Sequence, residues 1–369
     1  MAKNSLTIIE KELNQLGFRP KDLLRGYSFA DTQSTKANTA NVTLAAFCQS
    51  PPSYRNAAFG IVDDENEQLN AARSLGAPLL LSIGATGVKV WRVNATRKPD
   101  VIDNCSFEDL PQLFSKHKKD WTPERILRAK SIGAFDATHQ LDFVDLGLLT
   151  ALSSEIQQKL DRLINEALSA IVESQKRLPK SVRLDDRALF GLIFRLLSAK
   201  ILSDRKHKDA STWQSANVDS VLAGIEEHYG LSTGDSKHQL AYQTVADEAW
   251  KIISSGLNVA NVSSDDLAFV YENTLVSPSV RKELGTHSTP RSVAEYVVGR
   301  LRLDEMELDQ IRIFEPFCGA GVFLIAAMRH LKDRLPRDWS DLKRHKFLIQ
   351  RMSGAEIDPF AREVAQLSL

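Results

Sequence analysis

The stretch Ile311-Arg312-Ile313-Phe314-Glu315-Pro316-Phe317-Cys318-Gly319-Ala320-Gly321-Val322-Phe323-Leu324 constrains the fold more than any other part of the chain. Its first four residues are mostly apolar and β-branched, which suits a short buried strand. An acid follows, then Gly319 and Gly321, then an apolar run from Val322 to Met328 that reads as a packed helix. Strand, glycine turn and helix make the opening unit of a nucleotide-binding α/β domain. The glycines let backbone approach a ligand closely, and the helix N-terminus offers free N–H groups. Leu324 stands where a dinucleotide fingerprint has its third glycine, which points away from NAD and leaves another adenosine cofactor open.

Two neighbouring segments sharpen this reading. Upstream, Leu284-Gly285-Thr286-His287-Ser288-Thr289-Pro290 runs into Arg291 to Val298. Thr289 is expected as a helix N-cap, with Pro290 at the first helical position. Downstream lies Gly354-Ala355-Glu356-Ile357-Asp358-Pro359-Phe360-Ala361, where Glu356 is expected to end a second strand. An acid at that strand tip can accept hydrogen bonds from ribose hydroxyls. Asp358 is expected to cap the next helix, with Pro359 at its first position. The spacing to Glu356 exceeds the roughly 20 residues of a simple dinucleotide fold, and the polar segment from Lys332 to Lys346 fills the excess.

These three motifs, in this order, resemble the gamma-type DNA adenine-N6 methyltransferases of Type I, Type IIG and BREX-like restriction–modification or defence systems. In that family a Thr-Pro motif precedes a variant of Asp-Pro-x-Cys-Gly-x-Gly-x-Phe-Leu, and Gly-x-Glu-Ile-Asp-Pro follows. This chain departs in having Glu315 for the first acid and His287 in the Thr-Pro segment. The resemblance implies S-adenosylmethionine as cofactor. By it, Glu315 would meet the methionyl ammonium, and Gly319 and Gly321 would let backbone pass beside that moiety. Thr289 and Pro290 would brace the methionine carboxylate end, and Glu356 would hold the ribose. Ile357 would lie against adenine, with Phe317 in the floor of the pocket.

Bulk composition adds limits. The 369 residues are 43% hydrophobic and 25% charged, enough for two or three domains with their own cores. The net charge of +0 gives no global pull toward DNA or an anionic membrane, so any nucleic-acid contact must come from local basic patches. Cys48, Cys105 and Cys318 are scattered and the histidines dispersed, which argues against a disulfide framework or a metal constellation and fits a reducing cytoplasm. Glu10 and Glu12, with no long apolar run beside them, argue against a signal peptide, and no segment reaches membrane-spanning length.

Residues 1–135 read as a mixed α/β domain. Leu6 to Leu16 has helical spacing, and Val42–Cys48, Ala58–Val62, Pro78–Ser82 and Val88–Val93 read as strands. Leu69 to Leu75 can form a helix, and Gly84 to Gly87 a hairpin-like turn. The layout resembles the nuclease-like N-terminal domain of the same families, related to the PD-(D/E)xK fold. An active member has an acid and then Glu-x-Lys flanking the second strand to hold Mg²⁺. Here Phe59 to Val62 runs into Asp63-Asp64-Glu65-Asn66-Glu67 with no such lysine, so the domain is expected to be catalytically dead. Ser50-Pro51-Pro52-Ser53-Tyr54 is similar to an amino-methyltransferase loop, but Ser53 displaces the aromatic, and a proline-rich loop is the better reading.

A polar connector near Ser131 to Asp145 leads to a helical domain over 145–270. Leu148 to Ser174 is amphipathic, Leu184-Asp185-Asp186 opens a second helix through Ile201, and Leu222–Tyr229 and Ala241–Ile253 follow. Lys200, Arg205, Lys206, His207 and Lys208 form a basic cluster, read as a solvated face with some prospect of phosphate contact. Residues 275–369 are then the first part of a Rossmann-like methyltransferase domain. The expected class is α/β plus α: a degenerate nuclease-like domain, a helical connector and that partial domain.

The family's Asn-Pro-Pro-aromatic loop does not occur, so no catalytic residue is assigned. The expectation is the N-terminal portion of a methyltransferase acting on double-stranded DNA, completed by a downstream polypeptide. The alternative is a non-catalytic scaffold or regulatory subunit of a DNA defence complex.

Overall fold

The computed structural model describes residues 2–34, 38–63, 66–132, 140–213, 216–231, 239–270, 289–336 and 338–369. The chain divides into two compact units, Met1–Lys159 with Gly256–Ser263, and Leu160–Ser255 with Ser264–Leu369. His287, Asp64 and Glu65 lie outside the described residues.

The first unit is built on a sheet of β1 (Leu23–Ala30), β2 (Thr39–Phe47), β3 (Ala57–Asp63), β4 (Leu79–Ile83), β5 (Gly87–Arg92) and β6 (Asp100–Ser106), in that spatial order. Neighbours are antiparallel except β3 and β4, which are parallel. A parallel pair needs a crossover, and α2 (Asn66–Ala72) lies in it. Leu44, Ala46, Phe59, Ile61, Leu79 and Leu81 alternate onto one face. There they join Ile9 and Leu13 of α1 (Ala2–Gln15), Phe114 of α3 (Leu110–Lys116), Trp121, and Ile126 of α4 (Pro123–Ile132). The opposite face is also filled: a Cβ at Gly60 would come 2.7 Å from Leu80 and 3.0 Å from Leu75. A sheet covered on both sides calls for continuous apolar runs, as in β3 and β4.

The four expected strands match β2 to β5, and Gly84 N–H donates to the Gly87 carbonyl at 2.9 Å to close the expected turn. Strands β1 and β6 were not expected. They are the outer strands of the sheet, where Arg25 in one and Asp100 and Asp103 in the other interrupt the apolar pattern, although Tyr27 and Phe29 of β1 alternate inward and are buried. The Ser50–Tyr54 loop buries its aromatic: Tyr54 is inaccessible to solvent, and its N–H donates to the Asn261 carbonyl. Beside it, the buried Lys130 ammonium donates to the carbonyls of Tyr54, Ala57 and Gly76 at 2.9, 2.7 and 2.9 Å. Burial pulls its pKa down to about 7.

The boundary between units falls within α5 (Leu146–Lys176). In the second unit, Asp185 caps α6 (Asp186–Asp204) by accepting the Ala188 N–H at 2.8 Å, and Asn217 caps α7 (Val218–Tyr229) through Ser220 N–H. Next come α8 (Gln239–Ser255) and α9 (Ser264–Val270), then α10 (Arg291–Gly299). The C-terminal part holds β7 (Ile313–Glu315), α11 (Val322–Arg334), α12 (Asp341–Ile349), β8 (Met352–Gly354) and α13 (Pro359–Ser368). The Arg195 guanidinium of α6 bridges Glu226 of α7 at 2.5 Å and Glu363 of α13 at 2.6 Å, so the C-terminal helix is keyed to the helical part of its own unit. The basic cluster divides in the fold. Lys200 is buried and paired with Asp204 at 2.9 Å, while Lys206 and Lys208 are exposed. Among the described residues no helix is long and apolar enough to cross a membrane.

Candidate functional site

Strands β7 and β8, the two strands expected on either side of the glycine turn and helix, pair in parallel with Ile313 opposite Met352 and Glu315 opposite Gly354. Both are three residues long; Ile311 lies buried just before β7, and Glu356 stands two residues beyond β8 rather than ending it. Beyond Gly354 the pairing continues for one bond to β7 and then passes to the loop after it. Ala355 N–H donates to the Glu315 carbonyl at 2.9 Å and Cys318 N–H donates to the Ala355 carbonyl at 3.0 Å. Gly354 has no room for a side chain, since a Cβ would lie 2.9 Å from Leu324 Cδ1 and 3.0 Å from Cys318 Cβ.

The Glu356 carboxylate holds the two loops together. Its Oε2 accepts the Gly319 N–H at 2.8 Å, and its Oε1 accepts the Asp358 N–H at 2.9 Å. Sequence reading treated Glu356 only as a ribose acceptor; the fold also gives it a role in shaping the turn. Asp358 caps α13 by accepting the Phe360 N–H at 3.1 Å, as expected, with Pro359 at the first helical position.

Glu315 sits at the carboxyl end of β7, where ligands bind in α/β sheets. Leu324 N–H donates to its carboxyl group, but Oε2 is buried without a hydrogen-bond partner. Burial first, and the neighbouring Glu356 carboxylate second, push its pKa up to about 7. A buried anion short of partners is a place where a cation gains most.

The two glycines differ. Both have left-handed backbone, with φ +51° at Gly319 and +84° at Gly321. A Cβ at Gly321 would meet Ala365 Cβ of α13 at 3.2 Å, so this residue packs against protein. A Cβ at Gly319 would meet nothing within 4 Å, so this is the residue with open space above it. Phe317 and Ile357 stand almost free, 88% and 96% exposed, and Phe314 of β7 is 64% exposed. The contacts of Ala365, Gly354 and Leu324 escape the sequence, because each depends on a partner distant along the chain.

Thr289 does not cap α10. Pro290 takes the N-cap position, its carbonyl accepting the N–H groups of Val293 and Ala294, so each expected role shifts by one residue. Glu295 of α10 pairs with Arg329 of α11 at 2.5 Å, while Asp304, further along, meets His330 and Arg334. These ion pairs tie α10 and the turn after it to α11.

Residues 294–369 match the family model described as MmeI, DNA-methyltransferase domain. The segment resembles the methyltransferase domains of restriction–modification enzymes. A putative type II restriction enzyme and methyltransferase of Methanocaldococcus jannaschii is 28% identical over 169 residues, covering 31% of this chain. The chain spans 14% of the length of that relative. Among solved structures, the DrdV–DNA complex matches with a TM-score of 0.36 and 13% identity, covering 96% of this chain and 34% of that one. A modification subunit of a putative type I restriction enzyme from Vibrio vulnificus YJ016 matches with a TM-score of 0.36 and 15% identity, over 58% of this chain and 53% of that one. Scores this low do not define a shared fold.

Proposed function

We propose that the methyltransferase-like segment binds S-adenosylmethionine and forms part of a site-specific DNA adenine-N6 methyltransferase of a restriction–modification or phage-defence system. In this reading 1–135 is a nuclease-like domain without cleavage activity, 145–270 a helical connector, and 275–369 the first part of the cofactor domain. The protein works in the cytoplasm on double-stranded DNA. The single observation that carries the reading is the buried, unpartnered Glu315 Oε2 at the end of β7, beside a glycine with open space above it.

The residues fit the cofactor. Glu315 accepts the methionyl ammonium, and Gly319 lets the methionine portion lie against backbone. Glu356 keeps lone pairs beyond the two N–H groups it already accepts, and these take the ribose hydroxyls. Ile357 and Phe317 would offer apolar surface to adenine, and Thr289 and Pro290 would brace the methionine carboxylate. When bound, the cofactor supplies a methyl group activated on a sulfonium centre.

Saturation-transfer NMR with S-adenosylmethionine tests the assignment on the 369-residue chain. An ammonium beside Glu315 favours the carboxylate, so contact should strengthen as pH rises through about 7. Glu315→Gln should remove both the contact and its pH dependence. Equal cofactor signals from the two proteins would overturn the reading.

A further inference from the structure

We propose that His207, Asp209 and His228 form a binding site for a zinc-class divalent cation. The histidines are dispersed along the sequence, yet the fold brings these two to one carboxylate. His207 precedes the short 3₁₀ turn Lys208–Ala210, which carries Asp209, and His228 lies in the last turn of α7. Oδ2 of Asp209 is 3.3 Å from His228 Nδ1 and 3.6 Å from His207 Nδ1. One ligand atom from each residue lies within 4.8 Å of the others.

A bland alternative is a pair of ordinary histidine–aspartate hydrogen bonds. Such bonds would account for one ring only: Asp209 Oδ2 is 3.3 Å from His228 Nδ1 but 3.6 Å from His207 Nδ1, beyond hydrogen-bond reach. The His207 Nδ1 lone pair takes the Asp209 N–H in a long 3.4 Å contact, which it would give up to a cation. The spacing suits such an ion. Bonds of about 2.0–2.2 Å at tetrahedral angles put neighbouring ligand atoms about 3.3–3.6 Å apart, in line with both distances to Oδ2. The imidazole rings stand at 78° with centroids 5.0 Å apart, presenting different edges rather than stacked faces.

Two imidazoles and one carboxylate are the donor set of zinc and related transition ions, not of calcium or magnesium. With three protein ligands, a fourth position remains for water. The C-terminal end of α7, closed by left-handed Gly230, adds a favourable dipole for a cation. The ion would clip the turn after α6 to the end of α7, holding the helical part of the second unit together.

The test uses the full chain, stripped with chelator, dialysed against zinc chloride and read by metal analysis and thermal melting. The expected result is about one zinc per chain from this site, with three ligands and a water, and a raised Tm. His228→Ala and Asp209→Asn should each lose that equivalent, or bind it more than about 100-fold more weakly, while their metal-free melting stays near that of the parent. His345→Ala, an exposed histidine elsewhere, should keep it. Cobalt substitution should give the visible absorption of a four-coordinate site in the parent and not in His228→Ala. Unchanged zinc stoichiometry and affinity in both ligand variants, or no zinc bound by the parent, would overturn the proposal.

Discussion

The Gly319 N–H donates to Glu356 Oε2 at 2.8 Å, joining the glycine turn after β7 to the loop after β8. The same carboxylate takes Asp358 N–H on its other oxygen, so one side chain sets the entry to α13 and the shape of the turn. Glu356→Ala strands two backbone donors and should cost about 1–3 kcal/mol in the second unit. Hydrogen exchange should quicken at the Gly319 and Asp358 amides. Unaltered protection at both would show that the turn holds its shape without Glu356.

Glu315 predicts a pH dependence of stability. Its pKa is raised to about 7 in the folded state, so between its ordinary value and about 7 the folded chain binds more protons than the unfolded one. Its contribution is fully present below its unfolded pKa and lost as pH rises through about 7. Glu315→Gln should therefore flatten the Tm–pH curve and stabilise the protein at pH 8 by on the order of 1 kcal/mol. A variant less stable than the parent at pH 8 would contradict this.

The two glycines should respond differently to alanine. Gly321→Ala meets both a left-handed backbone and Ala365, and should destabilise by about 2 kcal/mol. Gly319→Ala meets the backbone penalty alone, about 1 kcal/mol, and leaves the unit folded. Its larger effect should be on cofactor contact, seen as a lost saturation-transfer signal at unchanged circular dichroism. Equal melting losses in the two variants would contradict this.

The first unit should not cut DNA. Asp63 is exposed at the end of β3, and interior residues Ala57 to Val62 and Leu79 to Ile83 are all buried with no ionisable side chain among them. Plasmid incubated with the protein and Mg²⁺ or Mn²⁺ should stay supercoiled. Cleavage abolished by Asp63→Ala would refute this.

The inner strands were legible because burial on both faces leaves apolar runs bounded by turns, as at Phe59 to Val62 and Leu79 to Leu81. The edge strands were not, because Arg25 and Asp103 break their apolar patterns and are held by ion pairs with Glu10 and Lys116 distant in sequence. At the candidate site, Glu315, Gly319, Gly321 and Glu356 stand out by type and spacing. What Glu356 holds did not, since Gly319 comes to it across a strand pairing far apart in sequence. Gly321 illustrates the same limit: its spacing suggests a ligand, and only the fold reveals Ala365 against it. His207 and His228 meet only once α6 and α7 have packed.

The Lys130 ammonium has each N–H taken by a carbonyl, and the residue is only 8% exposed. An acylating reagent that modifies surface lysines within minutes should therefore reach it far more slowly until the first unit opens. Once opened, the side chain becomes an ordinary reactive amine. The slow appearance of label at this one position would act as a clock, timing how often the sheet and α4 part company in an otherwise native population.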